Sequence, residues 1–316
     1  MNRVQLFLQV TRARTLPVMA APVIIGSVLA WQQGTPFHWG LFILALVGAL
    51  AAHLGANVIN DVFDFGAGAD QAAQAITPQG NTVATGSQFL LNGKLSITSY
   101  RGLAVACFAT ALLCGIVLSI FRPWALIFGI IGLMLAFFYV APPIRLAYIG
   151  RGLGEIDILI SFGILPLAGS FYVQTGTVTY VALLASLPIG LYTMAVLYFH
   201  HFLHWRADKA VGKFTPVVAL GEKGARLVGA LILLLIAVTF IVDVYLKVFP
   251  WYAILAAFTI IPVEIALGQA TGDLKHYFKL MATNMNANQI AALIILASLL
   301  ASGFMALHPY GGISLP

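Results

Sequence analysis

Acid is scarce in this 316-residue chain: ten Asp and Glu against sixteen Lys and Arg, with 8% of residues charged and 61% hydrophobic. No water-soluble domain of this length needs such a composition, so a soluble fold is excluded. Cysteine is nearly absent as well. The two present, Cys107 and Cys114, lie one heptad apart in an apolar run, which excludes a disulfide framework and suits small core hydrophobes. No soluble segment interleaves basic with aromatic residues, so nucleic acid is excluded as a partner.

What the chain has is apolar length. A bilayer crossing needs about 20 mostly apolar residues, and nine segments qualify: 15–33, 39–60, 99–121, 124–141, 153–175, 178–204, 224–246, 249–269 and 288–308, the fourth being short. The basic run and apolar stretch at the start imitate a signal peptide, but they read as a retained first helix because the rest of the chain is itself membrane-embedded. With nine spans, fourteen of the sixteen Lys and Arg fall on the side of the N-terminus, leaving Arg122 and Lys247 opposite. That asymmetry marks the basic side as cytoplasmic. The predicted fold is all-α: a polytopic bundle of about nine transmembrane helices around a central cavity open to the cytoplasm.

The scarce acids are not scattered. Asn60-Asp61-Val62-Phe63-Asp64-Phe65-Gly66-Ala67-Gly68-Ala69-Asp70 holds three of the ten. Asp61 and Asp64 share a helix face by their spacing, and a Gly-rich turn can fold Asp70 back towards them. Hard oxygen ligands grouped in this way suit Mg²⁺ shared with a substrate phosphate. The plain alternative is a solvated helix end, which the cost of acids near a membrane disfavours.

Two long polar loops lie on the basic side. The first runs from Asp61 to about Ile97 and carries Gly66, Gly68, Gly80, Gly86 and Gly93; the second runs from Arg206 to Pro216 and on to Glu222. Each follows a helix with a polar stripe: His53, Asn57, Asn60, Asp61 and Asp64 in the second span, then His200, His201, His204 and Asp208 in the sixth. Polar stripes on apolar helices face a bundle interior or cavity. Their matching positions suggest a single domain, 1–316, of two pseudo-repeated halves, roughly 1–150 and 151–316. Lys209, Lys213, Arg145 and Arg151 supply cations for phosphate oxygens. Acids, cations and an apolar bundle together point to an isoprenyl diphosphate, with its head on metal and its tail in the membrane.

Several passages resemble the UbiA superfamily of membrane prenyltransferases, and within it the 1,4-dihydroxy-2-naphthoate polyprenyltransferases of menaquinone synthesis. Thr11 to Pro17, with Ala21-Pro22-Val23 and Gly26, is similar to the family's opening segment. Asn57 with Asn60-Asp61 and Asp64 to Asp70 resembles its first Asp-rich motif. Leu153-Gly154-Glu155, Phe162-Gly163 and Tyr172 to Gly176 resemble the fifth helix of the naphthoate branch, and Asp208 to Thr215 the end of the second Asp-rich motif. The likeness runs from about Thr11 to Leu220.

The resemblance implies Mg²⁺-dependent transfer of an isoprenyl chain from its diphosphate to an aromatic, naphthoate- or quinone-precursor-like acceptor. Implied metal ligands are Asp61, Asp64, Asp70 and Asp208; Asp61, Asp64, Asp208 and His204 form the catalytic set. Asn57, Asn60, Lys209, Lys213, Arg145, His200, Tyr139 and Tyr148 would bind substrate, the tyrosines by shielding a carbocation. The expected location is a bacterial or archaeal cytoplasmic membrane, among lipid, with the N-terminus and active-site loops cytoplasmic. The chain departs from the pattern at His204, where the second motif usually has Asp, within His200-His201-Phe202-Leu203-His204. Imidazole binds Mg²⁺ poorly beside carboxylate. The first loop also lacks a basic residue near Gly86-Ser87-Gln88.

Plainer readings stand beside these. Lys209 and Lys213 also fit ordinary positive-inside charges, and Tyr139 and Tyr148 interfacial aromatics. Glu155 and Asp157 suit a helix N-terminus; Asp243 and Glu264 suit the outer interface or a pairing within the bundle. Alternative functions are an isoprenoid cyclase, an inactive or lipid-binding relative, and a transporter. The transporter reading is weakened because the acids cluster at the mouth, not at the midplane. The HHxxH cluster resembles histidine-box di-iron oxygenases, but seven histidines in all are too few for their several boxes.

Overall fold

The structure is a computed structural model that describes residues 2–76 and 87–307; Gly80 and Gly86 of the first long loop lie outside the described residues. The described residues are helical, and eight helices are long and apolar enough to cross a bilayer: α1 (Ala13–Gln32), α2 (Trp39–Gly66), α3 (Ile97–Phe121), α5 (Leu153–Thr175), α6 (Tyr180–Ala210), α7 (Pro216–Tyr245), α8 (Trp251–Gln269) and α9 (Leu274–Leu307). Between α3 and α5 lies α4 (Ala125–Phe138), apolar but only 14 residues long. The chain is an integral membrane protein.

Boundaries differ from the apolar segments where polar residues extend a helix. Helix α2 continues through Asp61 and Asp64 to Gly66, and α6 carries the second polar stripe on to Ala210. Helix α9 begins at Leu274, fourteen residues before the apolar run at 288, because the amphipathic stretch Leu274–Ala287 packs on the bundle through buried Tyr277, Leu280 and Ala287. Starts are set by side-chain caps: Ser96 accepts from the Ser99 N–H, Thr179 from Ala182 and Thr215 from Val218. Helix α7 is broken near its start at Gly221, where φ is 68° and ψ 170°, and α5 contains a π-helical turn at Ile160–Ile164.

Small residues set the packing, as expected where lipid supplies no hydrophobic drive. A Cβ on Gly26 of α1 would sit 2.3 Å from the Leu167 carbonyl of α5, and one on Gly163 of α5 would sit 2.4 Å from Gly190 of α6. Lipid-facing surfaces are apolar, with Leu113, Ile120, Leu227 and Leu293 exposed. Exposed Trp39, Trp124, Tyr180, Tyr245 and Trp251 stand where α2, α4, α6 and α8 begin and α7 ends. Because successive helices alternate in direction, all five mark one end of the bundle, an interfacial aromatic belt. Both acidic motifs lie at the other end. Cys107 and Cys114 are buried free thiols in α3.

Candidate active site

A cavity of about 620 Å³ runs between α1 and α6, polar at the end bearing the motifs and apolar beyond. In α2, His53, Asn57, Asn60 and Asp64 line it, a spacing of four, three and four residues that keeps them on one helical face. A turn with Gly68 at φ +78° opens the short helix Ala69–Ile76 and brings Asp70 to the same wall. Facing them from α6 are His200, His201, His204 and Asp208, with Lys213 from the following loop.

Asp61 lies elsewhere. It is completely buried, does not line the cavity, and is ion-paired to Arg12, whose guanidinium does line it. Arg12 sits at φ 53° in the turn between the short helix Arg3–Val10 and α1, a left-handed conformation that aims its side chain back at α2. The sequence presented Arg12 as a topological charge and as part of the opening segment, with no role at the site. Burial alone would lower its pKa, but Asp61, Asp70 and Asp64 outweigh that and raise it. So Asp61 Oδ1 holds the Arg12 guanidinium at the cavity wall, while its Oδ2 is buried without a hydrogen-bond partner.

Asp64 is oriented from outside. The Tyr148 hydroxyl donates to its Oδ1 at 2.6 Å, while Arg145 lies 3.9 Å above the Tyr148 ring and the Lys213 ammonium 5.2 Å from it. Neither Tyr148 nor Arg145 lines the cavity, so both support Asp64 and Lys213 from behind. Tyr139 does line it. Lys209 is exposed and points away. Burial would lower the Lys213 pKa, yet Asp64, Asp208 and Asp70 raise it overall. Asp70 is pushed up to about 6, first by burial and then by Asp64, against Arg12, Ser87 and Lys213.

On α6 the His200 and His204 rings lie 4.7 Å apart. His201 Nε2 is 3.1 Å from Glu155 Oε1, and its Nδ1 4.0 Å from Asp208 Oδ2. Glu155 is therefore an interior partner of His201 beyond any service at a helix start. Asp157 lines the cavity and accepts from Ser161 at 3.0 Å. Asp243 is buried in α7 and Glu264 stands in the first turn of an α8 segment, both away from the cavity. Glu155 and Arg12 were visible as residues; their pairings, with His201 and Asp61, needed the fold.

Among the described residues, no three His, Cys, Asp or Glu side chains converge on a single metal position. The oxygen donors are nonetheless prepared: Asn60 Oδ1 and Asp70 Oδ2 are buried without hydrogen-bond partners. Buried acceptors in that state want a cation or donor, so the acidic wall fits a hard divalent ion.

Residues 19–274 match the family model described as the UbiA prenyltransferase family. The chain is 33% identical over 232 residues to the 1,4-dihydroxy-2-naphthoate octaprenyltransferase of Escherichia coli, covering 71% of each protein. It is 30% identical over 225 residues to the 2-carboxy-1,4-naphthoquinone phytyltransferase of Synechocystis, covering 69% of this chain and 67% of that one. A solved UbiA homolog from Archaeoglobus fulgidus bound to DMAPP and Mg²⁺ superposes with a TM-score of 0.65 at 12% identity, over 91% of this chain and 99% of that one.

Proposed function

The chain belongs to the UbiA prenyltransferase family, and on that premise we propose that it catalyses Mg²⁺-dependent transfer of an isoprenyl chain from a prenyl diphosphate to an aromatic, naphthoate-like acceptor. The observation that carries the reading is the cavity itself: one chamber with oxygen donors and cations at one end and a long apolar bore at the other. Such a chamber fits an amphiphile with an anionic head.

Asp64, Asp70 and Asn60 would hold the cation from α2 and its turn, with Asp208 opposite. These residues would hold Mg²⁺, which would supply Lewis acidity towards the departing pyrophosphate. Arg12 and Lys213 add fixed positive charge where negative charge develops, the electrostatic contribution that usually dominates such steps. Tyr148, backed by Arg145, keeps Asp64 in its rotamer. Tyr139 presents an aromatic face beside the apolar bore, where an allylic cation is shielded from water. Asn57 orients the wall, and His200 and His204 donate to diphosphate oxygens in place of the usual carboxylate. Lys209, being exposed, takes no part.

We place the polar end on the cytoplasmic side of a bacterial or archaeal membrane. Fourteen of sixteen basic residues lie at that end and the aromatic belt at the other. The chain is read as one domain of two pseudo-repeated halves, 1–150 and 151–316.

The test is release of pyrophosphate from farnesyl or geranylgeranyl diphosphate by detergent-purified protein, with and without dihydroxynaphthoate, beside Asp64→Ala. Release that needs Mg²⁺, acceptor and Asp64 supports the transferase. Release without acceptor would point to a cyclase or a hydrolytic reaction instead, and none under any condition would remove the enzyme reading for these substrates.

A further inference from the structure

Asp157 is the cavity acid that the diphosphate chemistry leaves unused. It stands on α5, is 3% exposed, and lines the cavity. An ionisable side chain inside a membrane span is costly, and one that lines a cavity is there for use. Among the described residues no Lys, Arg or His pairs with it. Its partner is Ser161, one turn further into the span, whose hydroxyl donates to Oδ1 at 3.0 Å. Ser161 lines the cavity too and belongs to the π-helical turn Ile160–Ile164, a kind of irregularity frequent at functional sites. Asp157 Oδ2 makes no hydrogen bond and, unlike Asp70 Oδ2, keeps open surface at the cavity that the residue lines.

An aromatic contact fixes its depth. Phe162, in the same π-helical turn, meets His53 of α2 edge-on, with ring centroids 5.1 Å apart. From that contact, Asp157 lies five residues towards the motif end on α5, about 7 Å of helix. Asp64 lies eleven residues in the same direction on α2, about 16 Å. Asp157 therefore sits about 9 Å deeper than Asp64. Diphosphate held at Asp64, Asp70, Arg12 and Lys213 carries its reacting carbon on its inner oxygen. The aromatic ring that attacks this carbon occupies the next layer inwards, the layer of Asp157 and Ser161. Beyond them the lining face of α5 turns apolar at Phe162, Leu165 and Pro166.

Resting on the prenyl-transfer reading, we propose that Asp157 and Ser161 form the acceptor subsite, with Asp157 Oδ2 accepting a hydrogen bond from a phenolic hydroxyl of the aromatic substrate. The chemistry of the pair selects that group. A carboxylate without a cation repels the diphosphate and the acceptor's own carboxylate alike, and offers nothing to a hydrocarbon tail. A hydroxyl is the part of the two substrates that satisfies it, through a charge-assisted bond. The acceptor is thereby seated with its hydroxyl on α5 and its carboxylate turned towards the cations at the mouth, Arg12 and Lys213. Ser161 is a positioning residue: its bond to Oδ1 holds the carboxyl plane so that Oδ2 faces the ring. Rejection follows from the same arrangement, because a ring without that hydroxyl displaces water and leaves the carboxylate unpaired.

The test is equilibrium binding, by calorimetry, to the full-length protein in detergent with Mg²⁺ and the unreactive donor farnesyl thiolodiphosphate. The ligands are dihydroxynaphthoate and the two monohydroxynaphthoates that each lack one of its hydroxyls. The wild type should bind one of the two about 10-fold to 100-fold more weakly than the parent, the worth of a hydrogen bond to a charged group. Asp157→Leu should bind that analogue and the parent within about threefold of each other, because the selecting oxygen is gone. Asp157→Asn, which keeps the shape and a neutral acceptor, should fall between. Ser161→Ala should reduce the discrimination by about threefold, as one neutral hydrogen bond is removed. Thiolodiphosphate binding should stay within about twofold in every variant, which shows that each is folded. If Asp157→Leu fails that control, Asp157→Asn and Ser161→Ala decide. Undiminished discrimination in the folded variants, or an equal loss for parent and analogues, would give Asp157 a structural role and overturn the proposal. A wild type that binds the parent without discriminating overturns the subsite alone. A wild type that binds thiolodiphosphate but no naphthoate overturns the acceptor reading as well.

Discussion

Arg12 and Asp61 form an ion pair inside the bundle, with Asp61 wholly buried and Arg12 reaching the cavity wall from a left-handed turn before α1. The pair ties the entry segment to α2 and delivers a guanidinium to the site. Breaking a buried pair from one side leaves an uncompensated charge and costs about 3–5 kcal/mol. Asp61→Asn and Arg12→Ala should each lower the melting temperature in detergent and abolish transfer. The double variant Arg12→Met with Asp61→Leu should recover most of the stability and none of the activity. Recovery of activity in that double variant would show that Arg12 takes no part in binding the head group.

Tyr148 acts on Asp64 through a single hydroxyl at 2.6 Å. Tyr148→Phe keeps the ring against Arg145 and Lys213 and removes only that donation. A hydrogen bond to a charged group contributes about 1.5–3 kcal/mol, so the Mg²⁺ concentration for half-maximal activity should shift about tenfold or more. A magnesium titration at saturating donor measures it. An unchanged titration would mean Asp64 finds its position without help.

The two lysines of the second motif separate cleanly. Lys213 lines the cavity facing Asp64 and Asp208, whereas Lys209 is exposed. Lys213→Met should raise the KM for prenyl diphosphate by about tenfold to 100-fold, the worth of a charge-assisted contact of about 1.5–3 kcal/mol. Lys209→Met should leave it within about twofold. Equal effects would return both to the role of topological charges.

Much of this architecture was legible in the chain. Nine apolar runs became eight long helices and the short α4, and the stripe His53, Asn57, Asn60, Asp64 lies along the cavity as helical spacing requires. What the sequence could not carry was rotation and partnership. Asp61 follows Asn60 directly and so points about 100° away from it, into contact with a residue 49 positions earlier. Tyr148 and Glu155 meet partners 84 and 46 positions away, Asp64 and His201, and no local pattern encodes such contacts. Lys209 and Lys213 look equivalent as letters; the helix end at Ala210 and the turn at Gly212, φ +72°, send them to opposite sides.

His204 stands where the second motif of the family usually has a carboxylate, and its ring packs 4.7 Å from that of His200 on the cavity wall. Asp208 then remains the sole α6 carboxylate at the cavity among the described residues, and imidazole is a weak ligand for Mg²⁺ but a good one for softer ions. His204→Asp adds an oxygen ligand next to Asp208, so half-maximal activity should need about tenfold less Mg²⁺, while the KM for the donor rises as a diphosphate contact is lost. The wild type should show the opposite balance: a weak Mg²⁺ requirement at the second motif, and stronger activity when Mn²⁺ or Co²⁺ replaces it. Parallel titrations of the three metals on the two proteins decide the point. If the variant and the wild type follow one curve for every metal, then α6 does not bind the cation at all, and the acidic wall of α2 with Asp70 carries it alone.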